Sequence, residues 1–158
     1  MATKFLIEMR SAIATGKLNW EEVIELNKQI ISKDNKNFSA YFEIASAYER
    51  MGDAQSSLEY ANKAFEINPD FFFTLQLMTR LYHRLDDREN TYEYAKRSLK
   101  NMPEPVDPPK KFLRVLKLFS KIPIIHRFHK KLSIESANWG KWRNAWINWV
   151  NQYIGWYD

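Results

Sequence analysis

Two stretches of this chain repeat one another at a spacing of 34 residues, and that period restricts the fold more than any other feature of the sequence. "FSAYFEIASAYERMGDAQSSLEYANKAFEINPDF" (38–71) aligns without a gap on "FFTLQLMTRLYHRLDDRENTYEYAKRSLKNMPEP" (72–105). The pairs Phe38/Phe72, Tyr48/Tyr82, Arg50/Arg84, Asp53/Asp87, Glu59/Glu93, Tyr60/Tyr94, Ala61/Ala95 and Pro69/Pro103 are identical. Unrelated segments of this length share roughly two identities. A unit this short cannot bury its apolar face alone, so such units stack and share a core.

Each unit reads as two helices. Tyr41, Ile44, Ala45 and Tyr48 recur at helical spacing, a turn follows at "MGD" or "LDD", and a second helix closes before proline. Ala61 and Ala64 in one unit, and Ala95 and Ser98 in the other, are small enough to let the paired helices approach closely. The expected architecture is all-α, a right-handed stack of antiparallel helix pairs.

This pattern resembles the tetratricopeptide repeat (TPR) family. Tyr41, Ile44, Ala45, Tyr48, Ser57, Ala64 and Pro69 stand where that repeat wants them, as do Leu75, Met78, Tyr82, Ser98 and Pro103 in the next unit. Ala61 and Ala95 occupy a position where an aromatic is usual, and Thr79 and Thr91 stand where smaller residues are usual. Residues 4–37 look like a degenerate earlier copy: "WEEVIELNKQII" (20–31) fits a second helix, and the loop "ATGKLN" is longer than the family's. The repeats thus occupy 1–105. The remainder, 106–158, is read as a basic capping helix at "KKFLRVLKLFSKI", a short helix starting at Pro123, and a tryptophan-rich helix starting at Ser136 or Asn138.

The resemblance implies a non-enzymatic scaffold for protein–protein interaction, binding a peptide in the concave groove lined by the first helix of each repeat. The groove positions carry Ser39, Phe42, Ser46, Glu49 and Arg50, then Phe73, Gln76, Arg80, His83 and Arg84. Continuing the phase adds Lys110, Arg114 and Lys117. Arg80, Arg84, Lys110, Arg114 and Lys117 would meet an acidic segment, since a guanidinium fork holds a carboxylate in two bonds. Phe42 and Phe73 would supply apolar contact. The clamp that some members use for chaperone tails wants Lys and Asn where Phe42 and Ser46 stand, so a chaperone co-factor is not expected.

Composition excludes several alternatives. With no cysteine there is neither a disulfide framework nor a thiolate metal site, and no apolar run suggests a signal or a membrane span, so a cytoplasmic location is expected. The net charge of +5 is uneven: residues 1–105 carry 14 Lys or Arg against 16 Asp or Glu, and 106–141 carry nine against two. No nucleic-acid-binding module accompanies that basic stretch. His126 and His129 are spaced to share a helix face but lack further ligands, and no phosphate loop or nucleophile motif is present, so neither a cofactor nor an enzymatic activity is expected.

Residues 138–157 hold five of the six tryptophans. Trp139, Trp142, Trp146, Trp149, Tyr153 and Trp156 fall on one helical stripe, beside a second stripe of Ile147, Val150, Ile154 and Tyr157. The first stripe alone offers about 1,000 Å2 of aromatic surface, more than a soluble monomer exposes. The expectation is a helix folded onto its own domain, with a homodimer as one use of its remaining face. The alternative is a membrane-surface adaptor that sets the basic 110–131 stretch and the tryptophans against anionic lipid.

Overall fold

The computed structural model of the chain describes residues 4–104 and 123–156, and it divides into two compact units, Met1–Asn101 and Met102–Asp158. The first unit holds six helices: α1 (Lys4–Gly16), α2 (Trp20–Lys33), α3 (Phe38–Met51), α4 (Ala54–Ile67), α5 (Phe72–Arg84) and α6 (Arg88–Lys100). Each packs on the next, and α3 also meets α5. Among the described residues there is no strand, and the architecture is an all-α, TPR-like helical solenoid.

The 34-residue period runs three times. First helices begin at residues 4, 38 and 72, and second helices at 20, 54 and 88. The expected long loop after α1 is therefore absent, because "ATG" stays helical and only Lys17–Asn19 connect α1 to α2. Thr15 assists by donating its hydroxyl to the Ser11 carbonyl at 3.0 Å.

Each hairpin turn is built the same way. Leu18, Gly52 and Asp86 take the left-handed conformation at φ 58°, 88° and 55°. The next amide then donates back across the helix end: Asn19 to the Ala14 carbonyl, Asp53 to Tyr48 and Asp87 to Tyr82, all at 3.0 Å. This is the Schellman closure, which satisfies carbonyls that the helix end would leave bare. The same three residues start the second helices, where their side chains accept from the backbone N–H groups of Glu22, Ser56 and Asn90. Hydrogen bonds from the side chains of Ser56 and Asn90, and then from their backbone N–H groups, lower the Asp53 and Asp87 carboxyls from their ordinary values.

Small residues fill the helix crossings. Ala45, Ser57, Ala61 and Ala64 are fully buried, as are Thr79, Thr91, Ala95 and Ser98 one period later. The Ser57 hydroxyl donates to the Ala45 carbonyl at 2.7 Å, tying α4 to α3. Thr79 and Thr91 fit because each hydroxyl returns to its own helix, on the carbonyls of Leu75 and Asp87. The aromatic missing at Ala61 and Ala95 is replaced by its neighbour. Tyr48 stacks on Tyr60 at 5.7 Å, and Tyr82 on Tyr94 at 5.3 Å. Tyr60 also packs against both apolar clusters of the unit, the one around Ile24, Leu26 and Ile44 and the one around Leu77, Met78 and Leu81.

In the second unit, α7 (Pro123–Gly155) is one continuous helix where the sequence suggested two. The intervening "LSIESAN" contains neither proline nor glycine, and Ser136 and Asn138, read as alternative starts of the last helix, cost only a few tenths of a kcal/mol each inside a helix. No helix among the described residues is long and apolar enough to cross a membrane.

The turn yields a paired prediction. A Cβ at Gly52 would meet nothing within 4 Å, so Gly52→Ala is opposed by backbone conformation alone and is expected to destabilise by about 1 kcal/mol. Leu18 is 69% exposed and makes the same excursion with a branched side chain, so Leu18→Gly is expected to stabilise by about 0.5–1 kcal/mol. Urea unfolding midpoints at unchanged slope test both; a loss of stability in Leu18→Gly contradicts the assignment.

Candidate functional site

The first helices of the three hairpins, α1, α3 and α5, form one face of the first unit, and its floor is set by an ion pair between α3 and α5. Arg80 donates from Nε and Nη2 to the two carboxylate oxygens of Glu49, both at 2.8 Å. Glu49 is 11% exposed and Arg80 40%. Arg80, expected to meet a ligand's acid, is thus already neutralised by a partner 31 residues away. Gln76 departs from expectation as well: at 7% exposure it is buried, not open to a ligand.

The remaining groove residues divide by chemistry. Arg50, His83 and Arg84 are exposed. Phe42 and Phe73 are half-buried and both lean on Phe71, Phe42 edge-to-face at 5.6 Å and Phe73 at 5.5 Å. Phe38 completes the cluster at 5.1 Å from Phe71. These aromatics are fixed before any ligand arrives. Lys110, Arg114 and Lys117 lie outside the described residues.

The other end of this face has a feature that the sequence reading did not find. A cavity of about 360 Å3 opens between α1, α2 and α3, lined by Glu8, Ser11 and Thr15 of α1, Asn27 and Ile30 of α2, and Ser39 and Glu43 of α3 among others. Short side chains make up much of its lining, Ser11 and Ala12 from α1 and Ser39 and Ala40 from α3. On its floor the buried Asn27 amide donates to Ser11 Oγ at 2.7 Å and to the Val23 carbonyl at 2.9 Å. Desolvation pushes the Glu43 carboxyl above its ordinary value. The nearby Arg10 is drawn elsewhere, to Glu22 at 3.4 Å. The signal that could have shown this cavity is the phase: once α1 is placed in register with α3, Glu8 and Ala12 fall at the groove positions that Phe42 and Ser46 hold one period later.

On α7 the aromatic stripe forms stacked groups. Trp139 lies on Trp142 at 4.7 Å, Trp146 on Trp149 at 5.2 Å, and Trp149 on Tyr153 at 5.5 Å. Trp146, Val150 and Tyr153 are buried, and Val150, assigned to the second stripe, is the deepest of the three. The buried face is thus centred between the two stripes, because residues at i, i+4 and i+7 lie along one line. Trp156 is 74% exposed. Arg143 reaches Glu104 at 3.6 Å through Nη2, while its buried Nε has no hydrogen-bond partner among the described residues.

Comparison with known proteins places this arrangement. Residues 38–71 match the tetratricopeptide repeat family model. The first TPR of Spaghetti (RPAP3) bound to the HSP90 peptide SRMEEVD is similar at a TM-score of 0.60 and 15% identity, covering 85% of this chain and 93% of that one. The TPR2B domain of yeast Sti1 in complex with pHsp70 gives 0.59 and 11%, over 85% and 96%. The Sgt2 TPR domain from Aspergillus fumigatus gives 0.58 and 17%, over 85% and 81%. At these identities the likeness shows the fold alone. No curated protein matches the chain.

Two measurements follow from the charges. In a double-mutant cycle of Glu49→Gln and Arg80→Gln, the coupling energy is expected near 1 kcal/mol, between an exposed pair and a buried one; a value indistinguishable from zero would show the pair to be idle. For Glu43, a carboxyl raised by burial contributes stability that is present below its ordinary value of 4.5 and lost as pH rises through the folded value. Glu43→Gln is therefore expected to exceed wild type in urea midpoint at pH 7, with the difference fading toward pH 3.

Proposed function

We propose that this chain, which carries a tetratricopeptide repeat at 38–71 within a TPR-like solenoid, is a non-catalytic scaffold that holds an extended segment of a partner protein along the face of α1, α3 and α5. The acidic part of that segment lies over Arg50, His83 and Arg84. The observation that carries this reading is the Glu49–Arg80 pair, which fixes the spacing of α3 and α5 and leaves Arg50 and Arg84 exposed nearby. Both arginines present planar forks suited to carboxylates. Phe42 and Phe73, held against Phe71, offer rigid apolar surface at little entropic cost on binding.

Similar TPR domains carry an HSP90 peptide or pHsp70, which supports a peptide or protein as the ligand class. The chaperone tail itself is disfavoured. Counted from α1, which is in phase with α3, the positions at which the family resemblance puts Lys and Asn hold Glu8 and Ala12.

The test is an array of fluorescent heptapeptides in which Asp and Glu are varied one position at a time. Retained peptides are expected to be acid-rich. Their affinity should fall at least tenfold in the Arg50→Glu, Arg84→Glu double variant, and should weaken with salt as the Debye length shrinks from about 10 Å at 0.1 M to about 3 Å at 1 M. Binding that is indifferent to peptide charge, or unchanged in the double variant, overturns the acidic preference.

A further inference from the structure

We propose that the cavity between α1, α2 and α3 receives a basic side chain of the bound partner, arginine above all, between Glu8 and Glu43. The proposal rests on the α1–α3–α5 face being the binding face, but not on the acidic preference at its other end.

Size and chemistry agree. A volume of about 360 Å3 sits at the lower end of the roughly 300–1,000 Å3 typical of ligand pockets. The charged residues lining it are both carboxylates, and among the described residues no Lys or Arg lines it. Neither carboxylate has an ion pair or hydrogen bond among the described residues, although one is held partly out of water, which raises the cost of its charge. The cation closest in sequence, Arg10, is engaged by Glu22. A cation entering the cavity would therefore meet two uncommitted carboxylates. The walls between them add Ser11, Thr15, Asn27 and Ser39, whose oxygens suit a group with several donors. A guanidinium carries five N–H donors in a fixed fork, whereas an ammonium carries three at one point. The Asn27–Ser11 hydrogen bond at 2.7 Å fixes the floor in place.

The experiment titrates the 15N-labelled full chain with N-acetyl-arginine methylamide and, separately, with its uncharged citrulline counterpart. Saturable shifts are expected at the amides of Ser11, Thr15, Ser39 and Glu43 with the arginine probe, and binding at least fivefold weaker with citrulline. The Glu8→Gln, Glu43→Gln variant, its fold verified by retained amide dispersion, should lose affinity at least tenfold. The Arg50→Glu, Arg84→Glu variant should bind the probe like wild type. Equal response to both probes, unchanged affinity in the glutamine variant, or loss of the probe in the Arg50/Arg84 variant overturns the proposal. If the acidic peptides bind while the arginine probe does not, the scaffold reading stands and the basic pocket falls.

Discussion

Each hairpin of this protein depends on one left-handed residue and the capping residue that follows it. At Leu18, Gly52 and Asp86 the chain turns through positive φ, and at Asn19, Asp53 and Asp87 a single residue closes one helix with its N–H and opens the next with its side chain. Because that residue serves both helices, the two helices of a pair cannot shift in register independently. The strict phase follows, and with it the alignment of α1, α3 and α5 on one face.

Close packing within the hairpins then follows from side-chain size. Ala45, Ser57, Ala61 and Ala64 bring α3 and α4 near enough for a hydroxyl to reach the facing backbone at 2.7 Å. Such a crossing is sensitive to added volume, since overpacked cores lose about 1–3 kcal/mol. The alanines at 61 and 95 also leave space, which the chain fills with aromatics one position earlier. Tyr60 and Tyr94 lie against Tyr48 and Tyr82 and so occupy the neighbourhood of the usual residue from a different Cα.

On the face of the first helices, charge is sorted along the solenoid axis. The Glu49–Arg80 pair consumes one acid and one base at the α3–α5 junction. Carboxylates remain uncommitted toward α1, and exposed arginines remain toward the ends of α3 and α5. In the proposed binding mode, a ligand that crossed the whole face would meet opposite fields at its two ends and so be read for direction as well as composition. Electrostatic complementarity of this kind contributes more to orientation and association rate than to affinity.

Much of this architecture was legible in the sequence because it rests on local spacing. A period of 34, small residues at fixed offsets and an Asp after the turns of the second and third hairpins place helices, turns and crossings without knowledge of distant contacts. Leu18 concealed the tight turn of the first copy, since leucine is not a residue that sequence patterns associate with positive φ; "ATGKLN" therefore read as a long loop, and the backbone path showed that α1 keeps the phase. The tryptophan spacing fixed a stripe, but burial at Trp146, Val150 and Tyr153 decided which line of the helix is inward. The sites depended most on tertiary structure. Whether Arg80 is available is decided by Glu49, 31 residues away; the cavity beside Glu43 exists because α1, α2 and α3 converge there; and Gln76 is buried by packing that its own helix does not encode. Spacing along a helix determines which side chains share a face, whereas pairing, desolvation and enclosed volume are properties of two or more helices brought together.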